Sequence, residues 1–202
     1  MEKWDLHIHT SEYSSDARKP AIDQIQLAIN AGLDGVVLTD HDYCRTHDEM
    51  IFLQKHFENQ IRVLSGSEVM FGSVHLLVFG GPIGPVGHFS SPMELSRYIR
   101  SIDGCTIVAH PFFKTRKLNS HTLLMSGASA LEVYNARRRS WEMDSIYIAR
   151  QLDLGEVAGS DDHGDHGSVI GLTATLCPEP IYEIQDLVRQ ILMRQTRVWR
   201  KP

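Results

Sequence analysis

Six short segments of this 202-residue chain each set a His, Asp or Glu beside an apolar, strand-like run. They are Asp5–His9 (DLHIH), Thr39–His41, Ser67–Glu68, Val74–His75, Ala109–Pro111 and Ser160–His163. One such segment constrains little. Six of them, spread along most of the chain, require a fold that brings many strand ends to one place.

The intervening pattern supplies such a fold. Trp4–His9 reads as a strand, and Pro20 opens a helical stripe of Ile22, Ile25, Ala28 and Ile29 that Gly32 closes. Val36–Leu38 is a short buried strand, followed by a polar helix near Glu49–Phe57. Strands at Ile61–Leu64 and Val74–Phe79 are expected to form a hairpin through Phe71-Gly72-Ser73. Ser91-Pro92 caps a helix running to about Ile102. Then come a strand at Thr106–Ala109, a helix near Ser120–Met125, a strand at Ala130–Tyr134 and a helix over Arg138–Leu152. Strands near Glu156–Gly159 and Leu172–Leu176 precede a last helix over Ile181–Met193. Alternating strands and helices imply βα units with sites at the carboxyl ends of the strands. Five of the six segments sit at such ends; His75, inside or at the start of its strand, is the exception.

Composition narrows the function. The chain is expected to be one domain, residues 1–202, long enough for a full core. A net charge of -5 argues against a broad nucleic-acid footprint but allows a small, nucleotide-sized substrate. There is no apolar run approaching the roughly 20 residues that span a bilayer, and no signal-peptide pattern at Met1. Three scattered cysteines read as reduced thiols, so the expectation is a cytoplasmic protein away from membranes, without an obligate protein partner. Histidine, at 11 residues, is the anomaly, and it is the commonest transition-metal ligand.

His7 and His9 are two apart in a strand, so both project to one face as a ready chelate. Asp161 and His163 repeat that spacing. Gly66 permits close backbone approach just before Glu68, a carboxylate suited to bridging two ions. Each pair could be a helix cap, a satisfied core histidine or a solvated acid; the joint order is what resists that reading.

In that order, HxH, TDH, GxE, a strand His, His-Pro and SD-x-H, the chain resembles the PHP (polymerase and histidinol phosphatase) domain family. The resemblance implies a distorted, TIM-like (β/α)7 barrel with mainly parallel strands, and two or three divalent ions, Zn, Mn or Fe. By motif, the first ion would take His7, His9, Glu68 and Asp161; a second would share Glu68 and take His75 and His110. A third would take Asp16, His41 and His163. Asp40 is expected to orient an imidazole from behind. The stretch Thr10–Ala17 is about two residues longer than the family's usual loop and has no glycine, which leaves Glu12 as the alternative to Asp16.

Mixed His and carboxylate ligands suit hydrolysis by an activated water without a protein nucleophile. The resemblance implies a metal-dependent phosphoesterase acting on a small phosphorylated, nucleotide-like substrate. A 5′→3′ exonuclease on short oligonucleotides is the near alternative. Amide or cyclic C–N hydrolysis and a catalytically retired scaffold stand further off. Lys114 and Arg116, and the run Arg137-Arg138-Arg139, leave strands that face the metals; Lys114 and Arg137 are the candidates for gripping substrate. Glu132, inside its strand, reads as structural or as support for a ligand.

Overall fold

The computed structural model describes residues 1–82, 84–113, 116–138, 142–165 and 167–202. In chain order the elements are β1 (Glu2–Ile8), α1 (Ala21–Asn30), β2 (Gly35–Leu38), β3 (Tyr43–Cys44), α2 (His47–His56), β4 (Arg62–Ser65) and β5 (Ser67–Phe71). Next are β6 (Val74–Phe79), β7 (Gly84–Pro85), α3 (Pro92–Ser101), β8 (Cys105–Val108), β9 (Phe112–Phe113), β10 (Arg116–Lys117) and α4 (Ser120–Ser126). The chain ends with β11 (Ala130–Asn135), α5 (Glu142–Gln151), β12 (Gly155–Gly159), β13 (Thr173–Cys177), α6 (Ile184–Leu192) and β14 (Arg197–Arg200).

Two five-stranded sheets dominate, ordered β14-β13-β1-β2-β4 and β12-β11-β8-β6-β5. The pairs β1–β2, β2–β4, β8–β11 and β11–β12 are parallel, and the other four are antiparallel. The expectation of mainly parallel strands is therefore corrected to a mixed α/β fold. The sheets meet at two seams through single bridges, Ile8 with Asp162 and His41 with Glu68, and no continuous ladder closes a barrel among the described residues.

The expected hairpin is also corrected. β6 pairs with β5, turning at Gly72, while β4 lies parallel to β2 in the other sheet. Gly66 is where the chain changes sheets. A Cβ there would lie 2.7 Å from the Phe79 ring and from the Val78 carbonyl, so only glycine admits this crossing. The short strand β14 has no alternating apolar pattern in sequence, because its RVWR stretch carries a charge at each end.

The core has three parts. Between the sheets, Trp4, Leu6, Val37, Leu77, Phe79, Ile107, Ala130 and Val157 pack with Leu187, Val188 and Ile191 of the strongly amphipathic α6. Outside one sheet, Ala21, Ile25 and Ala28 of α1 and Leu53 of α2 cover Ile8, Val36, Leu38 and Val63. Outside the other, Leu95 and Ile99 of α3, Leu123 of α4 and Ala149 of α5 cover Leu76, Val78, Val108, Leu131 and Val133. None of the described helices is long and apolar enough to cross a membrane.

One irregularity in β1 places the site. Trp4 and Leu6 face the interior, and strict alternation would turn His7 outward. The register with β2 shifts between Asp5 and Ile8. After that shift Ile8 packs outward in the cluster that holds α1, and His7 and His9 take the inward face above Leu6.

Candidate metal centre

Glu68, only 2% exposed, stands at the middle of five imidazoles. Its Oε1 lies 3.0 Å from His75 Nδ1 and 3.1 Å from His110 Nε2. Its Oε2 lies 3.2 Å from His9 Nε2, 3.2 Å from His41 Nδ1 and 3.6 Å from His7 Nε2. The two oxygens thus serve two separate groups of ring nitrogens. Asp161 Oδ1 completes one group, 3.6 Å from both His7 Nε2 and His9 Nε2.

The seams set these positions. At one, Asp161 N–H donates to the His7 carbonyl (2.7 Å) and His9 N–H to the Asp162 carbonyl (3.0 Å). At the other, Glu68 N–H donates to the Asp40 carbonyl (3.0 Å) and Asp42 N–H to the Glu68 carbonyl (2.9 Å). Backbone tension collects here too: His110 and Asp161 have positive φ, 31° and 57°. At Gly159, a Cβ would collide with the His7 side chain and sit 2.9 Å from Glu132 Oε1, so glycine is required beneath the centre.

Hydrogen bonds behind the rings fix their tautomers. His7 Nδ1–H donates to Glu132 Oε1 (3.0 Å), and Glu132 Oε2 accepts the backbone N–H of His110 (2.7 Å). Ser14 Oγ–H donates to Asp40 Oδ1 (2.9 Å), which spends its only proton, so His9 Nδ1–H donates to Ser14 Oγ (3.2 Å). His163 Nδ1–H donates to the Asp161 carbonyl (2.9 Å). These bonds leave the Nε2 lone pairs of His7 and His9 facing each other at 3.0 Å, with carboxylate oxygens around them. The Nδ1 of His41 is buried and faces Glu68 Oε2 at 3.2 Å. Converging imidazole and carboxylate acceptors fit divalent cations.

The sequence-derived ligand sets fall together as spatial groups. His7, His9 and Glu68 form one, and Glu68, His75 and His110 another; His7 and Asp161 also group with His110. Of the third set, His41 and His163 group with His9, without Asp16. Asp16, 57% exposed, places its carboxylate 3.4 Å from His41 Nε2 and 3.2 Å from His163 Nε2. Glu12, the alternative to Asp16, instead accepts the Ala21 N–H at the start of α1 (2.9 Å).

Charge states follow from this packing. Burial pushes Glu68 up, but His7 and hydrogen bonds from His110, His41 and His7 outweigh it and hold the carboxyl well below its usual range. Burial likewise raises Asp161, while His7, His110 and His9 bring it down to about 2. Burial lowers His7, yet Glu132, Asp161 and Glu68 raise it well above an ordinary imidazole. His9 is lowered, chiefly by burial. The carboxylates around His7 thus favour positive charge there, which a bound cation would supply.

The supporting carboxylates stand behind the rings. Asp40 touches no imidazole directly; it accepts from Thr10 N (2.7 Å) and Ser14 Oγ, and reaches His9 through that serine. Glu132 makes the direct contact, and its strand alternation with the inward Ala130 is the signal that marks it. Arg137 pairs with Asp165 (2.8 Å), whereas Arg138 Nε donates to Asp161 Oδ2 (3.2 Å) and so lies nearer the centre. Arg138 also lines a small cavity with His110, Phe112, Glu132 and Asn135. It precedes α5 (Glu142–Gln151), where a helix is expected over Arg138–Leu152, and residues 139–141 between them lie outside the described residues. Lys114, Arg139 and His166 lie outside the described residues.

The PHP domain model matches residues 5–107, half of the chain, and the chain belongs to the PHP domain family. The matched stretch contains His7, His9, Asp16, His41, Glu68 and His75; His110, Asp161 and His163 lie beyond it. Curated protein sequences give no match. Among solved structures, a two-domain protein of Bacteroides vulgatus containing a predicted PHP-like metal-dependent phosphoesterase aligns with TM-score 0.70 and 18% identity over 98% of this chain and 64% of that one. An amidohydrolase of Chromobacterium violaceum, solved with bound sulfate and no metal, aligns with TM-score 0.66 and 18% identity over 98% and 97% of the two chains. A protein of Bifidobacterium adolescentis described as a metal-dependent phosphoesterase gives TM-score 0.65 and 18% identity over 95% and 96%. These likenesses show a shared fold.

Proposed function

We propose that this chain is a metal-dependent phosphoesterase that hydrolyses phosphate esters of a small, nucleotide-like molecule, its two sheets acting as a distorted barrel around the site. The observation that carries the reading is Glu68, each of whose oxygens faces its own group of ring nitrogens. His7, His9, Glu68 and Asp161 would hold one ion, Glu68, His75 and His110 a second, and Asp16, His41 and His163 a third. Ions there supply the charge that activates water near neutral pH and neutralises phosphate oxygens. The chain's own residues do the rest. Glu132 and Ser14 hold His7 and His9 in the ligating tautomer. Arg137, with Arg138 beside Asp161, offers planar guanidinium groups to the phosphate at the mouth. Lys114 is a further candidate for that role.

The sulfate bound to the Chromobacterium violaceum protein suits a phosphate-sized tetrahedral anion, and that protein's description keeps amide hydrolysis as an arm of the test. Protein purified without chelator should carry at least two transition-metal equivalents; fewer than one would sink the reading. Phosphomonoesters, nucleoside bisphosphates, short 5′-phosphorylated oligonucleotides and amides are then assayed with added Mn. Turnover of small phosphate esters supports the proposal, and preference for oligonucleotides selects the exonuclease. His110→Ala and Asp161→Ala should each abolish turnover with the fold intact.

A further inference from the structure

Asp16 has little of its own to hold it. Its side chain is more than half exposed and faces His41 and His163 from a turn with no regular secondary structure. The residues before it, by contrast, converge on one buried cation. Arg45 is 5% exposed, and its Nη2 donates to Thr10 Oγ1 and to Asp40 Oδ2 (3.1 Å). The same nitrogen lies 3.6 Å from Glu12 Oε2, and Nη1 lies 3.7 Å from Glu49 Oε1. The guanidinium carbon sits 5.0 Å from the centre of the Tyr13 ring, which stacks on Tyr43 at 3.8 Å. Asp40 in turn holds Thr10 through both N–H and hydroxyl, and holds Ser14 through its hydroxyl.

We propose that Arg45 is a positioning residue for the outermost ion: with Asp40 it ties Thr10, Glu12, Tyr13 and Ser14 into the conformation that holds Asp16 over His41 and His163. This rests on the metal-centre reading above. The geometry favours Arg45 over any other member of the strap because it alone touches three loop residues and three acids. A planar, forked donor meets those demands together; a lysine ammonium offers a compact charge without the fork or the stacking face. Removing the charge leaves Asp40, 1% exposed, without its cation. The loop's far side is anchored separately, by Arg18 N–H to the His163 carbonyl (2.7 Å) and Lys19 Nζ to the Gly164 carbonyl (3.0 Å). Whether that side suffices alone is what the experiment decides.

Chelator-stripped protein is loaded with Mn, freed of excess, and its metal content measured beside apo-protein circular dichroism. Wild type should hold three equivalents. Asp16→Asn and Arg45→Met should each hold two, with outermost-ion affinity lowered roughly 10–100-fold. Arg45→Lys should restore part of that affinity, which a general loss of stability would not produce. If Arg45→Met fails to fold, Thr10→Val removes the shared hydroxyl and should show the same selective loss. Three equivalents retained in Arg45→Met, or in Thr10→Val where that variant stands in, overturn the inference. So does a wild type that holds two equivalents, unchanged by Asp16→Asn. Fewer than one equivalent in wild type fails the metal-centre reading itself, a result distinct from the other two.

Discussion

Glu132 joins two candidate ligands that lie far apart in sequence: its Oε1 accepts from His7 Nδ1 at 3.0 Å while its Oε2 accepts the backbone N–H of His110 at 2.7 Å. One buried carboxylate thus sets a ring tautomer on β1 and the position of a residue strained at φ 31° after β8. A carboxylate behind a ligating imidazole also raises its basicity toward metal. Glu132→Gln keeps the shape and removes the charge. It should weaken metal binding by roughly 10–100-fold with little change in fold. Competition against a chelator of known affinity measures this, and wild-type affinity in the variant would contradict the role.

Gly159 tests the packing under the same centre. A methyl group there has nowhere to go, because the His7 side chain and Glu132 Oε1 already fill the space and are hydrogen-bonded to each other. Gly159→Ala should cost about 1–3 kcal/mol of stability, the usual range for overpacking a tight interior. Metal content should fall with it, since His7 must shift to accommodate the methyl. Denaturant midpoints and metal analysis give both readings; a stable, fully loaded variant would show that the interior can yield.

Acid stability has a separate source at the start of α2. Glu49 is raised by burial but lowered further by hydrogen bonds from Thr46 and Tyr13 and by Arg45, reaching about 2. A carboxyl depressed in the folded state stabilises above its unfolded value near 4.5, and that contribution is lost as pH falls from there toward 2. Glu49 is partly exposed, so solvent screens some of it. Glu49→Gln should lose on the order of 1 kcal/mol at pH 7, as for a broken capping box, and converge with wild type near pH 2. A constant gap between the two proteins across that window would refute the linkage.

Much of the centre was legible because a metal site must display its ligands as residue types at strand ends. His7, His9, Glu68, His110, Asp161 and His163 mark themselves in this way, and His75 by its place in an apolar strand. What escaped was geometry that depends on irregular backbone. The shift in β1 that turns His7 inward has no composition signal. The passage of the chain from β4 to β5 at Gly66 looks, in sequence, like one hairpin arm. Ser14 and Arg45 lie in polar loops where serine and arginine are common, and their roles emerge only when Asp40 folds against them. The parallel βα units were readable from alternation and the β5–β6 turn from Gly72, but the antiparallel pairings of β13 with β1 and of β6 with β8 join segments far apart in sequence that no local pattern encodes.

The two arginines after β11 should separate kinetically. Arg137 pairs with Asp165 and touches only the backbone carbonyl of Asp161 (3.5 Å), while Arg138 lies against the Asp161 carboxylate itself. A rim contact that grips phosphate equally in ground and transition states changes KM alone. Arg137→Ala should therefore raise KM, by about 10-fold for one charge-assisted contact, with kcat close to wild type. Arg138→Ala removes a charge that orients a candidate ligand, so kcat should fall and metal affinity should drop with it. Steady-state kinetics on a small phosphate ester, paired with metal content, distinguish the two. If Arg137→Ala lowers kcat and Arg138→Ala moves only KM, the assignments must be exchanged.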